Sequence, residues 1–142
     1  MDLGHLGVLN WLAIAVATLA YFALGGVWFL PGMFGKAWSR SMGWDMPEGA
    51  EGPGAAIYIG PLLTSLVASI ALALLAEATR ADGAGDGLIL GLVVGLGIAG
   101  SVLLLTAVFD PKKPEPRTWF AITGGYHIAG LTLASVIISA WR

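Results

Sequence analysis

His127 is the strongly titratable side chain that lies inside a long apolar run, GYHIAGLTLASVIISAW. An imidazole can pass protons near neutral pH or ligate a metal. An ionisable group at membrane depth faces other helices or a polar cavity and marks a candidate site. The metal reading lacks ligands, because no His, Cys, Asp or Glu stands three or four residues from His127. No cofactor fingerprint accompanies it either. Thr123 lies one helical turn before His127, and Tyr126 points about 100° away round a helix. Asn10 and Tyr21 are polar groups in the first apolar run. Two readings of His127 remain open at this stage. It is a neutral group tying helices together, with Thr123 as a partner, or it handles a proton or a substrate.

The elements that must position these residues follow from the apolar pattern. Residues 6–29, 55–76, 87–109 and 119–141 hold none of the seven Lys and Arg or nine Asp and Glu. Each run is long enough for a bilayer core, which takes about 20 helical residues. The chain is 57% apolar and only 11% charged, with mean hydropathy +0.82. A soluble domain of 142 residues could not bury that much apolar surface. We expect one all-α domain over residues 1–142, a four-helix transmembrane bundle. The first run begins after MDLGH, which has no Lys or Arg, and it exceeds a signal-peptide core, so it is expected to stay as an anchor. With no Cys there is no disulfide frame and no thiol chemistry.

Between the first two spans, residues 32–44 should form a short interfacial helix. Met33, Phe34, Ala37, Trp38, Met42 and Trp44 share one face of it, and Lys36, Ser39, Arg40 and Gly43 the other, with Ser41 a misfit. Lys36 and Arg40 in this loop, with Lys112, Lys113 and Arg117 in the 3–4 loop, outnumber Arg80 and Arg142 at the opposite end. The positive-inside rule then puts both termini on the non-cytoplasmic side. The five cations are also suited to lipid headgroups. Trp11 and Trp141 are expected at the outer interface, Trp28 and Trp119 at the inner one. DMPEGAEGPG after the interfacial helix reads as an acidic linker, and Pro61 should bend the start of the second span. Asp82 and Asp86 lack the spacing of a calcium loop, so EATRADGAGD reads as a solvated turn.

The third span is the expected packing centre. Gly83, Gly87, Gly91 and Gly95 fall four apart, and Ala99 continues the row, so one helix face is nearly bare. Such a face admits a close neighbour in a membrane. Ser65, Ser69 and Ala73 on the second span form a matching small face; the same span of a second copy is the other candidate partner. The remaining hydroxyls, including Thr64, Thr132, Ser135 and Ser139, suit backbone bonds or packing.

Asn10-Trp11-Leu12, Tyr21-Phe22-Ala23-Leu24-Gly25, Trp28, Pro31 and Phe34-Gly35-Lys36-Ala37-Trp38 resemble the start of the domain of unknown function 1761 family. Gly125-Tyr126-His127, followed by an apolar helix closing on Trp141, resembles its end. The resemblance implies a small multi-pass protein of a bacterial inner membrane with four helices, and it implies no activity. It draws attention to Lys36, Trp38 and His127. Small multidrug transporters need a carboxylate within the first span, which is absent here, and the Arg-containing Gly-rich motif of dual-topology fluoride channels is absent too.

No nucleophile–base pair, carboxylate pair within a span, P-loop or dinucleotide fingerprint is present, and the cations are too dispersed for nucleic acid. The sequence therefore favours a non-catalytic bundle that forms a homo-oligomer or joins a larger membrane complex. The alternatives are a small transporter or channel with a polar path near His127, and a lipid-binding protein. A cavity reaching His127 would favour transport; a packed, sealed His127 would count against it. Periplasm-active reporters fused to either terminus should be active and cytoplasm-active ones silent; the reverse pattern would refute the orientation.

Overall fold

Asn10 opens the first long helix. Its side-chain Oδ1 accepts the backbone N–H of Ala13, satisfying one of the free donors of the first turn. The computed structural model describes residues 7–44 and 56–142. Within them, α1 spans Trp11–Trp28, α2 Gly35–Ser41, α3 Ala56–Thr79, α4 Gly83–Phe109 and α5 Pro116–Ala140. The four long helices are apolar enough to cross a membrane, and the protein is an all-α membrane bundle. His5 and the acidic stretch 45–54 lie outside the described residues.

The centre of the bundle is α5, in place of the third span. It touches every other helix, and half of its most apolar stretch is buried. α1 and α3 pack together on one side of α5, while α4 packs on it from the other and barely meets α3. The glycine row therefore has a different partner from the small face of the second span. A Cβ on Gly87 would lie 2.7 Å from the Ser135 carbonyl oxygen. One on Gly91 would lie 2.5 Å from Thr132 Cα, and one on Gly95 3.1 Å from Ile128 Cα. Backbone rests against backbone along this seam, so the face is occupied within the chain and is not open to a second copy. Gly83 is not part of it: its φ of +84° turns the chain into α4, and nothing stands near its Cβ position. Ser65 and Ser69 are buried on the face of α3 turned to α1 and α5.

The row also changes step. Val93–Gly100 is a π-helix inside the continuous α4. Its i→i+5 bonds take more residues per turn, so the buried positions run Gly87, Gly91, Gly95 and then Gly100, with Ala99 only partly buried. Strict α-helical spacing predicts Ala99; the wider turn moves the contact on by one.

The connection between α1 and α3 departs from the expected amphipathic helix. Pro31–Phe34 form a turn, and α2 has only seven residues. It docks on the end of α5, with Ser41, the misfit of the helical wheel, fully buried. The Ser41 carbonyl accepts the Glu115 N–H at 3.3 Å. α2 thus caps the bundle with Gly35 and Ser41, while Met33 and Phe34 stay exposed. At the same end Trp28 is half-buried and Trp119 buried, both bound by protein groups. The Trp28 indole donates to the Ile122 carbonyl at 3.1 Å, and Trp119 is buried under Lys113.

The opposite end is tied by polar bonds. Arg80 takes a left-handed conformation, and the Ala81 N–H reaches back to the Ala76 carbonyl, a Schellman-type close of α3. Arg142 donates to the carbonyls of Ala76 and Ala81 and pairs with Glu77 at 2.7 Å. Asp86 Oδ2 accepts the Asp82 N–H at 3.0 Å, so that turn closes on itself.

Gly91→Leu should be far more damaging than Leu92→Ala. The first pushes a side chain into the Thr132 backbone and should lower stability by about 3 kcal/mol or more. The second trims an outward residue and should stay within about 0.5 kcal/mol. Equal unfolding midpoints for the two variants would mean that the seam is not a contact.

Candidate functional site

His127 sits eight residues past Trp119 on α5, about 12 Å along the helix. Its Nδ1 lies 2.6 Å from Tyr21 Oη on α1. Thr123, the partner suggested by spacing, is taken by another group: its hydroxyl accepts the Trp38 indole N–H at 3.1 Å. That bond ties α2 to α5, and Trp38 also stacks edge-on against Phe29. The imidazole tautomer sets the direction of the Tyr21–His127 bond. In the tautomer where Tyr21 donates to Nδ1, the phenol proton is satisfied within the protein and the ring carries its own N–H on Nε2.

Packing enforces this pair. Gly130 lies directly under the Tyr21 ring, and a Cβ there would collide with ring atoms Cδ2 and Cε2. Gly25 gives the same clearance to Tyr126, whose hydroxyl would stand 2.8 Å from a Cβ. Each tyrosine thus lies across a glycine of the other helix. Their ring centroids are 5.4 Å apart, and Tyr126 Oη points to the Tyr21 carbonyl at 3.5 Å, the long limit of a hydrogen bond. Phe29, Trp28 and Tyr126 extend the aromatic cluster toward α2.

A cavity of about 250 Å³ adjoins the pair. Tyr21, Thr64, Ser65, Ala68, Tyr126, His127 and Leu131 line it, so α1, α3 and α5 all contribute. His127 Nε2 has no protein partner among the described residues, and it is not sealed. Spacing alone makes Ser65 a packing residue and Thr64 a backbone-bonding hydroxyl; the structure puts both on this wall. A count of turns back from Ser69 puts Ser65 on the same face, but the neighbour it meets is a long-range fact.

Asn10 is not part of the site. It is about 16 Å up α1 from Tyr21, and its side-chain amide donates to the Trp141 carbonyl at 2.8 Å. It lines a second cavity of about 340 Å³ at the end that carries both termini, with Glu77, Trp141 and Arg142. No cluster of three potential metal ligands occurs among the described residues.

The five loop cations gather at the other end. Lys36, Arg40, Lys112 and Arg117 are exposed. Lys113 is engaged by Asp110 and rests 4.5 Å over the Trp119 ring. The Lys113 hydrogen bond, and then the Lys112 N–H, hold the Asp110 carboxyl below its ordinary pKa.

Gly130→Ala should displace the Tyr21 ring and cost about 1–3 kcal/mol, by overpacking. Tyr21→Phe removes one hydrogen bond and should cost about 1 kcal/mol. Chemical unfolding in detergent would rank the two; a harmless Gly130→Ala would mean that Tyr21 does not lie across α5.

The comparisons assign no chemistry. No curated protein and no solved structure matches the chain. One family model, described as "Protein of unknown function (DUF1761)", matches residues 12–139, a stretch that holds the four spans except Trp11 and Ala140, and both members of the Tyr21–His127 pair. With nearly its whole length covered, the chain belongs to the DUF1761 family.

Proposed function

We propose that this is a non-catalytic membrane protein that binds a small molecule within the bilayer, at the pocket beside Tyr21 and His127, and works as a small transporter or carrier. The observation that carries the reading is the cavity of about 250 Å³ touching an imidazole with an unused ring nitrogen. A histidine kept only to join helices would have both nitrogens satisfied or sealed. Hydroxyls of Tyr21, Tyr126, Thr64 and Ser65 add polar contacts to a wall otherwise made of Ala68 and Leu131. That mixture of apolar lining and a few convergent polar groups is usual for small-ligand sites.

The orientation supported by the loop cations puts α2 and the α4–α5 connection on the cytoplasmic leaflet of a bacterial inner membrane, with both termini outside. In that setting Lys36, Arg40, Lys112 and Arg117 meet anionic headgroups, which anchors the end of the bundle nearest the pocket. The glycine seam is intramolecular packing in this reading. Association into a homo-oligomer or larger complex would use the outward faces.

Photolabelling with a small lipophilic diazirine tests the site directly. Label should appear on peptides holding Tyr21, Ser65 and Tyr126–Leu131, and Ala68→Phe, which fills the cavity, should remove it. Label confined to outward faces such as Leu88, Ile89 and Leu105 would refute the pocket.

A further inference from the structure

The pocket has a direction of entry. Every residue from Ile57 to Thr64 on α3 is exposed, and the first buried residue is Ser65. The N-terminal third of α3 therefore stands away from α1 and α5. Pro61 lies within this stretch and removes one backbone donor, so the first turns are free to diverge from the packed part. The cavity starts where the divergence ends, with exposed Thr64 at its mouth and buried Ser65 behind it. In a bilayer that mouth faces acyl chains. A ligand arriving this way partitions into lipid and is uncharged, because a charge at this depth is costly.

The interior has a defined polarity. In the tautomer where Tyr21 donates to Nδ1, His127 offers an N–H from Nε2 and asks for an acceptor. The rings of Tyr21, Tyr126 and His127 stand around the space, with Tyr126 and His127 centroids 4.7 Å apart. Aromatic walls suit a flat, polarised ring. Leu131 and Ala68 complete an apolar floor.

Building on the pocket reading above, we propose that the ligand is a lipid-soluble quinone, held by a hydrogen bond from His127 Nε2–H to a ring carbonyl. Its tail leaves between α3 and α5 past Thr64. The step is binding alone: no bond is made or broken, and the protein supplies no electron.

The test uses the full chain in detergent, with a benzoquinone bearing a decyl tail as probe and decylbenzene as the oxygen-free control. Native mass spectrometry should retain one quinone per chain and no decylbenzene. His127→Phe should weaken quinone binding about tenfold, the size of one lost hydrogen bond. His127→Gln keeps an N–H donor and should restore most of it, which also controls for misfolding. Quinone should compete with the diazirine label at Tyr126–Leu131. Equal retention of decylbenzene, or unchanged affinity in His127→Phe, would overturn the proposal. If the diazirine labels the pocket but quinone neither binds nor competes, the ligand class is wrong and the pocket stands. If the pocket is not labelled and quinone does not bind, both readings fall.

Discussion

Lipid removes the force that assembles most helical proteins. Acyl chains are as apolar as leucine, so burying one apolar helix against another gains little. What remains is close contact and hydrogen bonding, and α5 supplies both. On one side it meets the bare face of α4 at near-backbone distance. On the other it receives Tyr21 over Gly130 and the Trp28 and Trp38 indoles on Ile122 and Thr123. Close approach at Gly130 and hydrogen bonds at Ile122 and Thr123 thus hold α1 and α2, while the glycines of α4 hold α4.

This also explains the serines. Ser69, Ser135 and Ser139 are buried with unpartnered hydroxyls. Ser135 and Ser139 lie beside Gly91 and Gly87. Ser135 and Ser139 are small enough to sit against the glycines of α4 at this distance. Thr132, on the same helix, donates to the Ile128 carbonyl at 2.7 Å.

The spans and the membrane class were legible because they follow from composition, and His127 stands out in sequence as one ionisable residue in an apolar run. The separation of Asn10 from the site was legible too: eleven residues of helix is half a bilayer, and a count of rise would have parted them. What was hidden is pairing. Periodicity says which residues share a face, and nothing about which helix meets that face; so the glycine row pointed to α3 while the real neighbour is α5. The docking of α2 was hidden for a related reason. A helical wheel assumes that the apolar side is the buried side, yet Ser41 is buried because it lies against the α4–α5 connection, a contact with a residue 74 positions away. The wide turn in α4 leaves no mark in composition, since glycine and valine serve both helix types.

That wide turn has a consequence for how this span can vary. Before Gly95 the inward positions recur every four residues; between Gly95 and Gly100 they take five. The helix therefore carries about one residue more than its contacts require. Loss of a single residue between those two glycines would let the segment relax to ordinary α-helix, with Gly87 and Gly91 on one flank and Ala107 on the other still facing α5. Loss of one residue outside Val93–Gly100 would instead rotate one flank away. The span contains a short stretch of slack, so its length can drift there without unseating the bundle.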